Sequence, residues 1–120
     1  MGFKGVKTII IVLVNARTGK PIVERVEVAD TFWKRGIGLM FKKSFDGALV
    51  FPNVGKTSFH GFFCFFPILL VCLDGDNRVV ELKRLDPWQV VPVNCKTVIE
   101  LDARRKYDIK PGDELIWNED

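Results

Sequence analysis

The chain has 120 residues, 48% of them hydrophobic, and a formal net charge of +3. That length fits one domain over residues 1–120, and that apolar content excludes intrinsic disorder. The charge is uneven: residues 1–60 carry ten basic and four acidic side chains, residues 61–120 eight and eleven. The imbalance is modest, which argues against a dedicated nucleic-acid surface.

In chain order, residues 8–14 are β-branched and apolar, which predicts a strand. Turn chemistry at 15–21 and alternation over 22–28 complete a predicted hairpin. Asp30 or Thr31 can cap a short helix near 31–42, with Phe32, Trp33, Ile37, Met40 and Phe41 at helical spacing. Residues 44–47 read as a loop, 48–51 as a short strand and 54–58 as a second loop.

Residues 59–73 form a dense apolar run holding the only histidine, His60, and two of the three cysteines. It is predicted to make two strands, 59–65 and 68–74, bent at Pro67. At 15 residues, broken by proline, it is too short to cross a bilayer, which takes about 18–20 apolar residues. The apolar stretch at 9–14 also falls short of a secretory leader, so a cytoplasmic location is expected. Asp74-Gly75-Asp76-Asn77 is a hairpin turn. Alternation over 78–85 gives a half-exposed strand, Asp86-Pro87-Trp88 breaks the chain, and 89–93 and 96–101 are further strands. A helical turn at 102–107, a tight turn at 110–113 and a last strand at 114–117 close the chain. The predicted class is α+β, mainly antiparallel β: about eight short strands in curled sheets or a partly open barrel, with one short helix.

The side chains offer little chemistry. Cys64, Cys72 and Cys95 are an odd count with no Cys-x-x-Cys, so neither disulfides nor a structural zinc site is expected. His60 and Cys64 are about 13 Å apart on one strand, beyond hydrogen-bond reach. No catalytic residue, metal or cofactor is assigned. The candidate binding residues are Arg35, His60, Asp74 and Trp88.

The order of Ala29-x-Thr31, Arg35-x-x-Gly38-Leu39-Met40, His60-x-Phe62-Phe63-x-x-Phe66-Pro67-Ile68, Leu73-Asp74, Pro87-Trp88, Glu100-Leu101 and Gly112-Asp113 resembles domain of unknown function 192 (DUF192). The resemblance covers about 90 residues, from Val28 to Trp117. It implies a small mostly-β domain, common in bacteria and archaea, with no established activity. Members usually carry Met where Cys64 stands, a basic or polar residue where Phe65 stands and Asp where Leu69 stands.

The leading functional expectation is a non-enzymatic binding or interaction domain, its surface lined by Phe59, His60, Trp33 or Trp88 with Arg35 nearby, for a protein or small-molecule ligand. A second is a small hydrolase or transferase pairing His60 with Asp74 or Cys95. A third is a weak nucleic-acid contact through Lys34, Arg35, Lys42, Lys43 and Lys56.

Overall fold

The computed structural model describes residues 11–29 and 36–118. Ten strands occur among them: β1 Leu13–Asn15, β2 Lys20–Val23, β3 Val26–Val28, β4 Ala48–Phe51, β5 Gly55–His60, β6 Ile68–Leu73, β7 Val79–Leu85, β8 Val90–Cys95, β9 Thr97–Asp102 and β10 Leu115–Ile116. A five-stranded sheet in the order β3-β4-β9-β6-β7 lies at the centre. Its β3–β4 pair is parallel and the other pairs are antiparallel. A three-stranded sheet, β10-β1-β2, covers one face, and the two-stranded ribbon β5-β8 covers the other. The sheets do not close into a barrel.

Side-chain alternation distributes the core to both faces of the central sheet. Val50, Val71, Leu73, Ile99 and Leu101 point toward Leu13, Val23 and Leu115 of the three-stranded sheet. Leu49, Phe51, Ile68, Leu70 and Val98 point the opposite way, toward Val93 and Phe59 of the ribbon. Strand β9 is buried at all six positions. Each fully buried aliphatic side chain contributes about 1.5–3 kcal/mol, so the sandwiched strands β6 and β9 dominate the stability.

The hairpin turn between β6 and β7 forms as its residue types dictate. The Asp74 carboxylate accepts the N–H groups of Asp76 (2.9 Å) and Arg78 (3.0 Å), and Asn77 adopts a left-handed φ of 60°. The turn at 110–113 also forms: the Asp113 N–H donates to the Lys110 carbonyl.

Three expectations are corrected. The strand at 22–28 is broken at Glu24 and Arg25, so its first half pairs with β1 and its second joins the central sheet beside β4. The short helix near 31–42 is not borne out among the described residues: 31–35 lie outside them, only Gly36 and Ile37 have helical backbone, and turn follows at 38–41. Two glycines and a left-handed Phe41 (φ 65°) work against propagation. Finally, the first strand of the phenylalanine run is displaced. Residues 55–60 make the strand and 61–67 turn away from it. Gly61 forces this turn: a Cβ there would lie 2.4 Å from the Asp86 carbonyl oxygen. The Gly61 carbonyl in turn accepts the N–H groups of Cys64 and Trp88.

One polar cluster fastens the ends of the described chain. Buried Asp113 accepts hydrogen bonds from Arg17 Nε (2.8 Å), Asn15 Nδ2 (2.8 Å) and the Lys110 N–H (2.9 Å). The Arg17 guanidinium, with help from Asn15, holds the Asp113 carboxyl well below the usual carboxylate range. A depressed native pKa gives stability that is present above the unfolded value and lost as pH falls. Asp113→Ala is expected to lose about 2–4 kcal/mol of urea-unfolding stability at pH 7. Its stability is also expected to fall less steeply than that of the wild type on acidification below about pH 5.

Candidate functional site

The site begins with a conflict inside β9. Alternation places Val98, Glu100 and Asp102 on the face that meets the ribbon. Asp102 is buried, and its carboxylate engages Arg104 through Nε (3.0 Å) and Nη2 (2.8 Å). The guanidinium lies over the Phe66 ring, 4.7 Å from its centroid. Glu100 has no comparable partner. It stands between Leu49 of β4 and Leu70 of β6, is 4% exposed, and its buried Oε1 makes no hydrogen bond. Burial pushes its carboxyl up from 4.5 to about 8, so the group is mainly a neutral acid at pH 7.

Glu100 forms part of the wall of a cavity of about 220 Å³. Phe51, Phe59, Leu39 and Ile68 give apolar walls, Thr57 and Ser58 of β5 add to them, and His60 and Cys64 also line the space. A single water needs about 10–15 Å³ of such space, and drug-sized ligands occupy about 300–1,000 Å³. The cavity therefore suits a small organic molecule. Gly38 keeps the backbone close to the acid: a Cβ there would lie 3.4 Å from Glu100 Oε1, and its φ is +52°.

The two other reactive groups of the cavity are unsuited to nucleophilic chemistry. Burial, reinforced by the nearby Glu100, pushes the Cys64 thiol up to about 11, so it stays protonated at neutral pH. His60 is half-buried on β5, and its Nδ1 accepts the Phe62 backbone N–H at 3.2 Å.

From His60 a row of rings runs outward. His60 stacks on Phe62 (centroids 4.8 Å), Phe62 approaches Trp88 (6.0 Å), Trp88 meets Phe63 edge-on (4.9 Å) and Phe63 stacks on Phe41 (5.3 Å). Phe41 and Trp88 are about 60% exposed. Phe41, Phe63 and Trp88 have left-handed φ values of 65°, 59° and 68°. For bulky side chains this backbone costs on the order of 1–3 kcal/mol each, held by the packing of these loops on the central sheet.

Of the four residues proposed from sequence, His60 reaches the cavity wall and Trp88 joins the aromatic row beside it. Asp74 spends its carboxylate on the β6–β7 turn and does not line the cavity. Arg35 lies outside the described residues, as do Trp33 and Lys34. Cys95 pairs with Gly55 at one end of the ribbon while His60 pairs with Val90 at the other. That separates them by about 17 Å at strand rise. Of the described basic residues proposed for such a contact, Lys42 sits over the Phe45 ring, and Lys56 stands on β5 opposite Asn94. Among the described residues no group of three or more His, Cys, Asp or Glu side chains is arranged to hold a metal ion. No helix among them is long and apolar enough to cross a membrane, and all three cysteines are free thiols.

Sequence reasoning missed Glu100 as a site residue. The available signal was its place among Thr97, Val98, Ile99 and Leu101, where alternation aligns it with Val98 on the inner face.

A raised native pKa gives stability that is fully present below the unfolded value and lost as pH rises through the folded one. Wild-type stability is therefore expected to fall by about 3–5 kcal/mol, relative to Glu100→Gln, between pH 4.5 and pH 8. Urea unfolding of both proteins across that range measures it, and parallel pH profiles would exclude the neutral buried acid.

The sequence pattern of the DUF192 family, described as uncharacterized ACR, matches residues 13–117. A UPF0127 protein of Pyrococcus horikoshii is 41% identical over 100 residues, covering 77% of this chain and 86% of the relative. A UPF0127 protein of Thermococcus sibiricus is 37% identical over 113 residues, covering 88% of this chain and 73% of the relative. The fold is similar to that of a crystallised protein of unknown function from Novosphingobium aromaticivorans, with a TM-score of 0.73, 23% identity and coverage of 91% and 84% of the two chains. The match over residues 13–117 and these identities show that the chain belongs to the uncharacterised DUF192 (UPF0127) family.

Proposed function

We propose that this chain is a non-enzymatic binding domain that takes a small organic molecule in the Glu100 cavity. One observation carries the reading: a buried carboxyl with an unpartnered oxygen lines a cavity large enough for a ligand. Perturbed acids in clefts mark functional sites more often than ordinary core positions. The aromatic row from His60 to Phe41 supports it, because strained, exposed rings at the edge of a cavity are expensive features for a fold to carry. Binding is favoured over hydrolysis or group transfer by the state of three side chains on the wall. Glu100 is mainly neutral, Cys64 is a protonated thiol, and the Nδ1 of His60 is engaged by the backbone.

Amide-detected NMR with a library of small fragments tests this. Shifts are expected to centre on Gly38, Phe59, His60 and Glu100. They should disappear in Ser58→Phe, which adds bulk at an exposed strand position on the cavity wall. A library that leaves those amides unmoved would overturn the reading, as would an unchanged response in the variant.

A further inference from the structure

Resting on that binding reading, we propose that the cavity is an amine site. Its ligand is a small molecule with one ammonium group on a short apolar body, and the ammonium pairs with the Glu100 carboxylate.

The chemistry of the walls selects this class. Among the described lining residues Glu100 is the only acid, and neither lysine nor arginine is present. Beside Glu100 an anionic ligand would face a second acid, and no lysine or arginine among the described lining residues offsets it. A wholly apolar ligand would leave Oε1 unpaired, as it is now. An alcohol or amide supplies a neutral hydrogen bond. An ammonium supplies three donors and a charge, and charge-assisted hydrogen bonds are about twice as strong as neutral ones. The apolar wall suits the remainder of such a ligand. Phe51 and Phe59 meet edge to face at 5.1 Å, so two rings of different orientation border the space.

Binding this class moves one proton. The Glu100 carboxyl, near 8 without ligand, ionises when the ammonium arrives, and its proton leaves to solvent. Ionising it at pH 7 costs about tenfold in affinity, which a charge-assisted pairing offsets. Among the described lining residues, Cys64 and His60 are the other titratable groups. The Cys64 thiol stays protonated, strands β4 and β6 bring Phe51 and Ile68 to the cavity, and residues 36–39 bring no charge. Affinity for an amine therefore rises with pH up to about 8. A neutral ligand accepting a hydrogen bond from the protonated acid behaves oppositely and weakens above that point.

Phenethylamine and its neutral isostere 2-phenylethanol, titrated into the full chain, test the proposal. Calorimetry in buffers of different ionisation enthalpy is expected to show proton release with the amine. Its affinity should rise by about tenfold per pH unit between pH 6 and 7.5. At saturation, the Glu100 side-chain carboxyl carbon is expected to move to its ionised position at pH 7, a readout that uses only the wild-type protein. Glu100→Gln should weaken the amine at least tenfold and 2-phenylethanol little. Equal affinity for the two probes, a pH-independent amine affinity, or an unmoved Glu100 resonance would each overturn the amine assignment. Neutral fragments shifting Gly38 and Phe59 while the amine does not would sink this inference and leave the cavity a binding site. Silence from every probe would sink both.

Discussion

Burial of β6 and β9 on both faces is the constraint from which the rest of this structure follows. Each strand must satisfy two apolar environments at once, so alternation between polar and apolar residues is lost and nearly every side chain is enclosed. The second environment is supplied by small elements: a three-stranded sheet on one side and a two-stranded ribbon on the other. Because the ribbon is narrow, it covers only part of the central sheet. The remainder is closed by residues 36–39 and by the turning segment after β5, and the cavity lies where these pieces meet.

Polar side chains on such strands must be individually accounted for. Asp102 is compensated, since Arg104 reaches it bidentately while stacking on Phe66. Asp113, outside the central sheet, is compensated by Arg17, Asn15 and a backbone N–H. Glu100 differs from both, and burial alone sets its protonation. Loss of the Glu100 proton as pH rises toward 8 leaves an uncompensated charge in the interior, whereas Asp113 fails at the acid end. The two carboxyls thus squeeze stability from opposite sides of the pH scale, for opposite physical reasons.

How far the sequence disclosed this can be seen at particular residues. Asp74-Gly75-Asp76-Asn77 carries its own turn chemistry, and the hairpin is where that chemistry places it. The mainly antiparallel character followed from short β-branched runs with regular turn signals. The break at Glu24 and Arg25 was invisible, because Ile22–Val28 alternates without interruption and the switch between sheets depends on β4 arriving beside β3. The turn after His60 was hidden for a related reason. A phenylalanine-rich run favours extended backbone locally, yet Gly61 must lie against the Asp86 carbonyl, a contact set 25 positions away in sequence. His60 and Trp88 drew notice as candidates because rare, exposed or amphipathic side chains stand out. Glu100 did not, since a charged residue in a strand ordinarily faces water, and only the second covering layer turns its face inward.

The energetics of Glu100 separate a structural role from a binding one. A leucine at its position would continue the apolar wall formed by Leu49, Leu70 and Val98, without the cost of desolvating an acid. The carboxyl returns nothing to the folded chain through Oε1, neither a hydrogen bond nor an ion pair. Local choices that oppose the fold without compensation within it are expected at functional sites. On the binding reading proposed above, a molecule in the cavity supplies the donor that Oε1 lacks. The glycine at 38 brings backbone beside that buried oxygen, in a left-handed conformation (φ +52°) that other residues rarely adopt.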